Sequence, residues 1–135
     1  EFFRRGLPVV GVPKTIDNDI VGTTNCFGFD SAVAFATDAI DRLHTTAEAH
    51  HRVMVVEVMG RYAGMIAILS GIGSGAEAIL IPETKTRVDQ IVDILNRGWE
   101  RKKTSMIVMV AEGDDSGGAY KIAEEVKSRF LGLGS

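Results

Sequence analysis

Cysteine is almost missing from this chain of 135 residues: Cys26 stands alone. No disulfide can form within the chain, and the sequence fits a reducing, cytoplasmic setting. No apolar run approaches the roughly 20 residues that a membrane span needs, and no secretory leader opens the sequence, so no membrane association is expected. Charge of one sign is also missing, since 15 Lys and Arg stand against 18 Asp and Glu for a net charge of −3. With no basic stripe along any segment, nothing recommends nucleic acid as a partner. There is no internal repeat, no low-complexity linker and no initiating methionine. Glu1-Phe2-Phe3-Arg4-Arg5-Gly6 reads as the last turn of a helix closed by a glycine. At the other end a predicted helix runs into Leu131-Gly132-Leu133-Gly134-Ser135. The chain therefore reads as a piece of something longer.

What is present is ordinary globular material, 45% hydrophobic and 24% charged, long enough to bury about two-thirds of its unfolded surface. Four short β-branched runs, Val9–Val12, Val53–Val58, Ala78–Ile81 and Met106–Val110, read as strands buried on both faces. Helical patterns lie between them. Asp30 to His50 carries Val33, Ala36, Ile40 and Leu43 on one stripe with Phe35 alongside, and Tyr62 to Leu69 is alanine-rich. Val88 to Arg101 carries Ile91, Ile94, Leu95 and Trp99, and Gly118 to Phe130 carries Ile122, Val126 and Phe130. This alternation predicts an α/β fold with a parallel sheet, helices on both faces and right-handed crossovers.

The polar clusters fall where each predicted strand ends: Thr15-Ile16-Asp17-Asn18-Asp19, then Met59-Gly60-Arg61, then Pro82-Glu83, then Glu112-Gly113-Asp114-Asp115. Open α/β sheets place ligands at that carboxyl edge. A loop with a hydroxyl and two nearby carboxylates can take a proton from an alcohol at one carboxylate and help hold a divalent cation at the other. In an extended loop Asp17 and Asp19 would share a face. Asp-Asn-Asp also suits plain turn chemistry. Gly60 permits close backbone approach, the helix start after it offers N–H groups to an anion, and Arg61 adds a positive charge suited to a phosphoryl group in flight. Glu112 suits hydrogen bonds from sugar hydroxyls. The alternative for Met59-Gly60-Arg61 is an ordinary strand-to-helix turn.

Arg52 and Arg61 bracket the second strand, nine positions apart, which at about 3.3 Å per residue puts them roughly 25–30 Å apart. They cannot serve one pocket within one subunit. Arg52 is a solvated strand-end charge, or it reaches a neighbouring subunit's site in a symmetric oligomer. His50 and His51 suit a helix C-terminus, His44 a helix surface, and Glu57 a partnered structural carboxylate. Gly71, Gly73 and Gly75 follow a helix rather than a strand, so they read as a helix stop and connector, not a phosphate loop.

At these residues the sequence resembles the phosphofructokinase family. The resemblance runs through Gly11-Val12-Pro13-Lys14-Thr15-Ile16-Asp17-Asn18-Asp19-Ile20, Gly28-Phe29-Asp30, Ala39-Ile40-Asp41-Arg42-Leu43, Arg52, Val55-Val56-Glu57-Val58-Met59-Gly60-Arg61, Ile81-Pro82-Glu83 and Ala111-Glu112-Gly113. It implies a three-layer, Rossmann-like substrate domain and phosphoryl transfer to the 1-hydroxyl of fructose 6-phosphate. Residues 1–26 would be the tail of a donor-binding domain with its catalytic loop, and 27–135 an incomplete fructose 6-phosphate domain, inactive by itself. By the resemblance, Asp17 is the base, Arg61 stabilises the transferring group, and Thr15 and Asp19 position phosphate and Mg2+. Met59, Gly60 and Glu112 would contact the sugar. Arg52 would bind the 6-phosphate of an adjoining subunit's substrate, which implies a homo-oligomer. Lys14 is the third expected catalytic residue and bears on the donor, pyrophosphate or ATP. ATP-using bacterial members carry glycine there, whereas pyrophosphate-using members and some ATP-using relatives carry lysine. An ammonium would crowd a nucleotide's α-phosphate, so pyrophosphate leads. A phosphosugar-binding module without chemistry and an assembly domain are the rival expectations.

Overall fold

The computed structural model describes residues 1–131, with side chains through Arg129. A 3-10 turn, Phe3–Arg5, opens it and ends on Gly6, whose left-handed backbone (φ 81°) lets its N–H donate to the Phe3 carbonyl. Two short parallel strands follow, β1 (Lys14–Thr15) and β2 (Phe27–Gly28). Then come α1 (Phe29–His50), β3 (Val53–Val58), α2 (Met65–Gly73), β4 (Ala78–Leu80), α3 (Val88–Glu100), β5 (Met106–Ala111) and α4 (Gly118–Leu131). The expected position of Phe130 on the last helical stripe and the 132–135 tail lie outside the described side chains and residues.

β3, β5 and β4 form one parallel sheet in that spatial order. β5 is central, and all six of its residues are buried. Successive side chains of a strand face opposite ways, and β5 divides accordingly. Met106, Val108 and Val110 pack with Ile91, Leu95, Ile122 and Val126 of α3 and α4. Ile107 and Met109 pack with Ile40 of α1 on the other face. The result is a three-layer α/β sandwich, as the alternation of apolar runs predicts.

Two expected elements differ. Val9–Val12 forms no strand, and Val10 is 92% exposed. An extended segment must pair its backbone groups, and no described residue offers a partner there. The second helix begins at Met65, three residues later than the alanine-rich pattern suggests, and runs on through Gly71 to Gly73. Gly71 is buried where α2 passes close to Ile79, so it continues the helix, and the left-handed Gly75 (φ 72°) follows the end.

Candidate active site

Because β3, β5 and β4 run parallel and in register, with Val58 opposite Ala111 and Leu80 opposite Val110, the segments after them leave the sheet at one edge. Helix α1 runs back toward the start of β3, so its first turn and the residue 14–28 segment come to that same edge. Ile16, Ala36, Ile40, Val58 and Met59 line a single open, apolar groove of about 350 Å³. Ile16 of the threonine-to-aspartate loop and Met59 of the Met-Gly-Arg turn thus border one space, whereas Asp17 and Arg61 are not among its lining residues.

The turn after β3 is held by its backbone. Glu112, at the end of central β5, accepts the Arg61 N–H at 2.6 Å and the Gly60 N–H at 3.4 Å, both on Oε1. Glu83, after β4, accepts the Gly64 N–H on Oε1 at 2.8 Å. Gly60 N–H, Arg61 N–H and Gly64 N–H are therefore already taken by carboxylate oxygens, before the first turn of α2 begins at Met65. The Arg61 guanidinium is the cationic side chain of this turn. That side chain is exposed, with its guanidinium 5.5 Å above the Tyr62 ring, within cation–π range.

Arg61 has φ 54°, a left-handed conformation uncommon outside glycine, so neighbouring contacts must impose it. Gly113 is one of them: a Cβ there would sit 1.9 Å from the Arg61 carbonyl oxygen. A side chain at Gly60 would be equally impossible, 2.3 Å from the Ala63 carbonyl oxygen.

The loop after β1 does not run extended. Asn18 adopts φ 56°, accepts the Cys26 N–H on its side-chain oxygen at 2.8 Å and donates to the Thr24 carbonyl at 3.1 Å. Strict alternation therefore fails here, and the argument that Asp17 and Asp19 share a face does not apply. Asp17 is half-buried and Asp19 exposed. The Thr15 hydroxyl oxygen accepts the Asp17 N–H at 3.2 Å, which keeps its own proton available for donation. Lys14 is exposed and sits in β1 opposite Phe27. Among the described residues no three His, Cys, Asp or Glu side chains gather into a metal cage. Mg2+ keeps several waters and needs only one or two carboxylates plus substrate phosphates. Asp19, which makes no hydrogen bond to a described residue, fits that modest demand.

Arg52 lies at the opposite edge. Its N–H donates to the Ala47 carbonyl at 3.0 Å and its carbonyl accepts the Met106 N–H at 3.3 Å, fixing it where β3 begins. Six strand residues separate it from Met59, about 23 Å over seven steps at about 3.3 Å per residue. His51 closes α1 in a left-handed conformation, in keeping with a helix-end role for that histidine pair. His44 is no bare surface residue, because its Nε2 lies 2.6 Å from the Ser74 carbonyl and links α1 to the end of α2. Glu57 is partnered as expected, accepting the Ala119 N–H at the start of α4.

Sequence reasoning missed three features of this edge: the Glu83 bond to α2, the Gly113 contact, and Asp114. Asp114 is buried and accepts the Thr86 hydroxyl at 2.6 Å and the Ser116 N–H at 2.9 Å. The glutamate three residues past β4 and the glycine directly past Glu112 were the available signals.

Comparison with known proteins identifies the family. Residues 1–133 match the family model described as phosphofructokinase. Over 126 residues the chain is 56% identical to the pyrophosphate–fructose 6-phosphate 1-phosphotransferase of Amycolatopsis mediterranei, covering 93% of this chain and 37% of that protein. It is 56% identical over 108 residues to the ATP-dependent 6-phosphofructokinase of Corynebacterium efficiens, covering 80% of this chain and 31% of the other. The chain thus spans about a third of the length of these relatives. Among solved structures, the pyrophosphate-dependent phosphofructokinase of Marinobacter aquaeolei superposes with TM-score 0.82 at 28% identity, over 96% of this chain and 36% of that one. The phosphofructokinase of Saccharomyces cerevisiae superposes with TM-score 0.79 at 38% identity, over 88% and 17%. A family match spanning nearly the whole sequence, joined to the same three-layer fold, makes this chain a member of the phosphofructokinase family.

Proposed function

We propose that the chain carries the acceptor side of a phosphotransferase that phosphorylates the 1-hydroxyl of fructose 6-phosphate, within a longer enzyme. The observation that supports the reading is the groove bordered by both Ile16 and Met59, one residue before Asp17 and two residues before Arg61. Asp17 takes the proton of the sugar hydroxyl as that oxygen forms its bond to the donor's terminal phosphorus. The phosphorus–oxygen bond to the rest of the donor breaks, and the departing phosphate keeps its electron pair. Arg61 stabilises the charge on the phosphoryl group in passage, and the Thr15 hydroxyl donates to a phosphate oxygen. Phosphoryl transfer asks mainly for positioning and charge stabilisation, and a turn held by its backbone supplies the first.

Met59, Gly60 and the second carboxylate oxygen of Glu112 border the sugar. Glu112 then has two tasks, with Oε1 on the turn and Oε2 toward a hydroxyl. Asp19 is the carboxylate that would hold Mg2+, which when bound neutralises charge on the donor phosphates. Arg52 serves the 6-phosphate of a neighbouring subunit's substrate. Residues 1–26 belong with the donor-binding part and 27–135 with the acceptor part, in a cytoplasmic enzyme.

The relatives' names include both donors, and Lys14 favours pyrophosphate for the reason of bulk given above. The test is formation of fructose 1,6-bisphosphate by the intact protein from fructose 6-phosphate and Mg2+, with pyrophosphate and ATP compared. Product is expected with at least one donor and faster with pyrophosphate. No product with either contradicts the reading, and faster turnover with ATP contradicts the donor assignment.

A further inference from the structure

Three loops meet at the carboxyl edge, and the hydrogen bonds between them close a ring. The β5–α4 loop holds the β3–α2 turn through Glu112 on the Gly60 and Arg61 N–H groups. The same loop holds the β4–α3 loop, since Asp114 accepts the Thr86 hydroxyl at 2.6 Å and Asp115 accepts the Thr86 N–H at 3.4 Å. The β4–α3 loop returns to the turn through Glu83 on the Gly64 N–H at 2.8 Å. Among the described residues that last bond is the one hydrogen bond between the β4–α3 loop and the turn. The contact beneath it is close, because a Cβ on Gly64 would lie 2.5 Å from Ile81 Cβ and 2.7 Å from Glu83 Oε2.

We propose that Glu83 is a positioning residue for Arg61, acting through Gly64 as the closing link of this ring. The inference rests on the phosphoryl-transfer reading. Arg61 sits in a left-handed conformation that its own preferences disfavour. Its upstream side is fastened by Glu112 and Gly113. Its downstream side, Tyr62 to Gly64, is fastened to the rest of the edge by Glu83. Without that acceptor the N-terminus of α2 is free to swing away from Ile81, and the guanidinium loses its fixed origin. Glu83 itself is an anion and would repel a phosphate, so its value to the site lies in accepting a backbone N–H. That task needs an acceptor oxygen and not a charge, which separates it from a ligand or metal carboxylate.

The experiment compares Glu83→Ala, Glu83→Gln and the α3 core variant Ile91→Val in the intact protein, with steady-state kinetics on fructose 6-phosphate and exchange of the Gly64 amide with deuterium. Glu83→Ala should lower kcat by about 10–10²-fold, the scale set by misplacing a reacting group by about 1 Å, with KM for the sugar little changed. Glu83→Gln retains an acceptor oxygen and should keep most of kcat. Gly64 exchange should speed up in the alanine variant only. Ile91→Val should lower Tm and leave kcat alone, which separates positioning from general loss of stability. Wild-type kcat in Glu83→Ala, equal damage from Gln and Ala, or unchanged Gly64 exchange would each overturn the inference. A wild-type protein inert toward both donors would instead overturn the phosphoryl-transfer reading, and the exchange measurement would still decide the clamp.

Discussion

At Gly113 an added Cβ would lie 1.9 Å from the Arg61 carbonyl oxygen and 3.3 Å from Tyr62 Cα, both backbone atoms that cannot rotate aside. Gly113→Ala must therefore push the Arg61 turn away from β5, costing about 1–3 kcal/mol of stability, as overpacking typically does. Denaturant unfolding with an unchanged m-value measures it. The same displacement should lower kcat in the intact enzyme more than it raises the sugar KM. A variant as stable and as active as the parent would show that the turn is not held by this contact. Glu112 acts in the same small region, and its 2.6 Å bond to the Arg61 N–H explains why a carboxylate is useful there before any sugar is considered. The two flanking aspartates differ: Asp17 is half-buried and approached by the Thr15 hydroxyl oxygen at its own N–H, while Asp19 faces water. In the proposed reaction that difference in setting would suit Asp17 to proton transfer and Asp19 to a hydrated cation.

Among elements, β5 decides most of the fold. Its six residues are buried because α-helices cover both faces and strands flank both edges, so a continuous apolar run was a dependable sign. The same sign misled at Val9–Val12, where the residues are as apolar but no described strand pairs with them. Hydrophobicity reports what a segment can bury, not whether a partner is present. Helix α2 was misplaced for a related reason: alanine content marked Tyr62 as helical, but the turn that holds Arg61 occupies 60–64 and delays the start to Met65. That Arg61 and Glu112 follow strands was legible in the sequence, whereas Asp17 was expected after a strand at Val9–Val12 that does not form. The bonds of Glu112 and Glu83 to the Arg61 turn were not legible, because which carboxylate takes which N–H depends on strand order, and β5 lying between β3 and β4 is a tertiary fact. Asp114 tests the account at this scale. Its carboxylate is buried and joins the β5–α4 loop to the β4–α3 loop through Thr86. Asp114→Ala leaves the Thr86 hydroxyl and Ser116 N–H without that partner and should cost about 1–3 kcal/mol. A loss well below that in denaturant unfolding would mean that water replaces the link without penalty.

For the whole molecule, the sheet separates two arginines that one chemistry would require together. Arg52 directly precedes β3 and Arg61 follows its end. If each active site draws Arg61 from one subunit and Arg52 from the next, mixing Arg52→Ala with Arg61→Ala chains and allowing them to reassemble should restore activity that neither has alone. No recovery on mixing, or full activity in Arg52→Ala by itself, would contradict an arrangement shared between subunits. The central claim is narrower: one edge of this sheet presents a base and a fixed arginine to a single sugar. The most direct measurement of it is steady-state kinetics of Asp17→Ala in the intact protein with fructose 6-phosphate and the preferred donor. The account predicts a fall in kcat of at least about 10²–10⁴-fold, the range that general base catalysis contributes, with the sugar KM nearly unchanged. A kcat equal to that of the unaltered protein would contradict it.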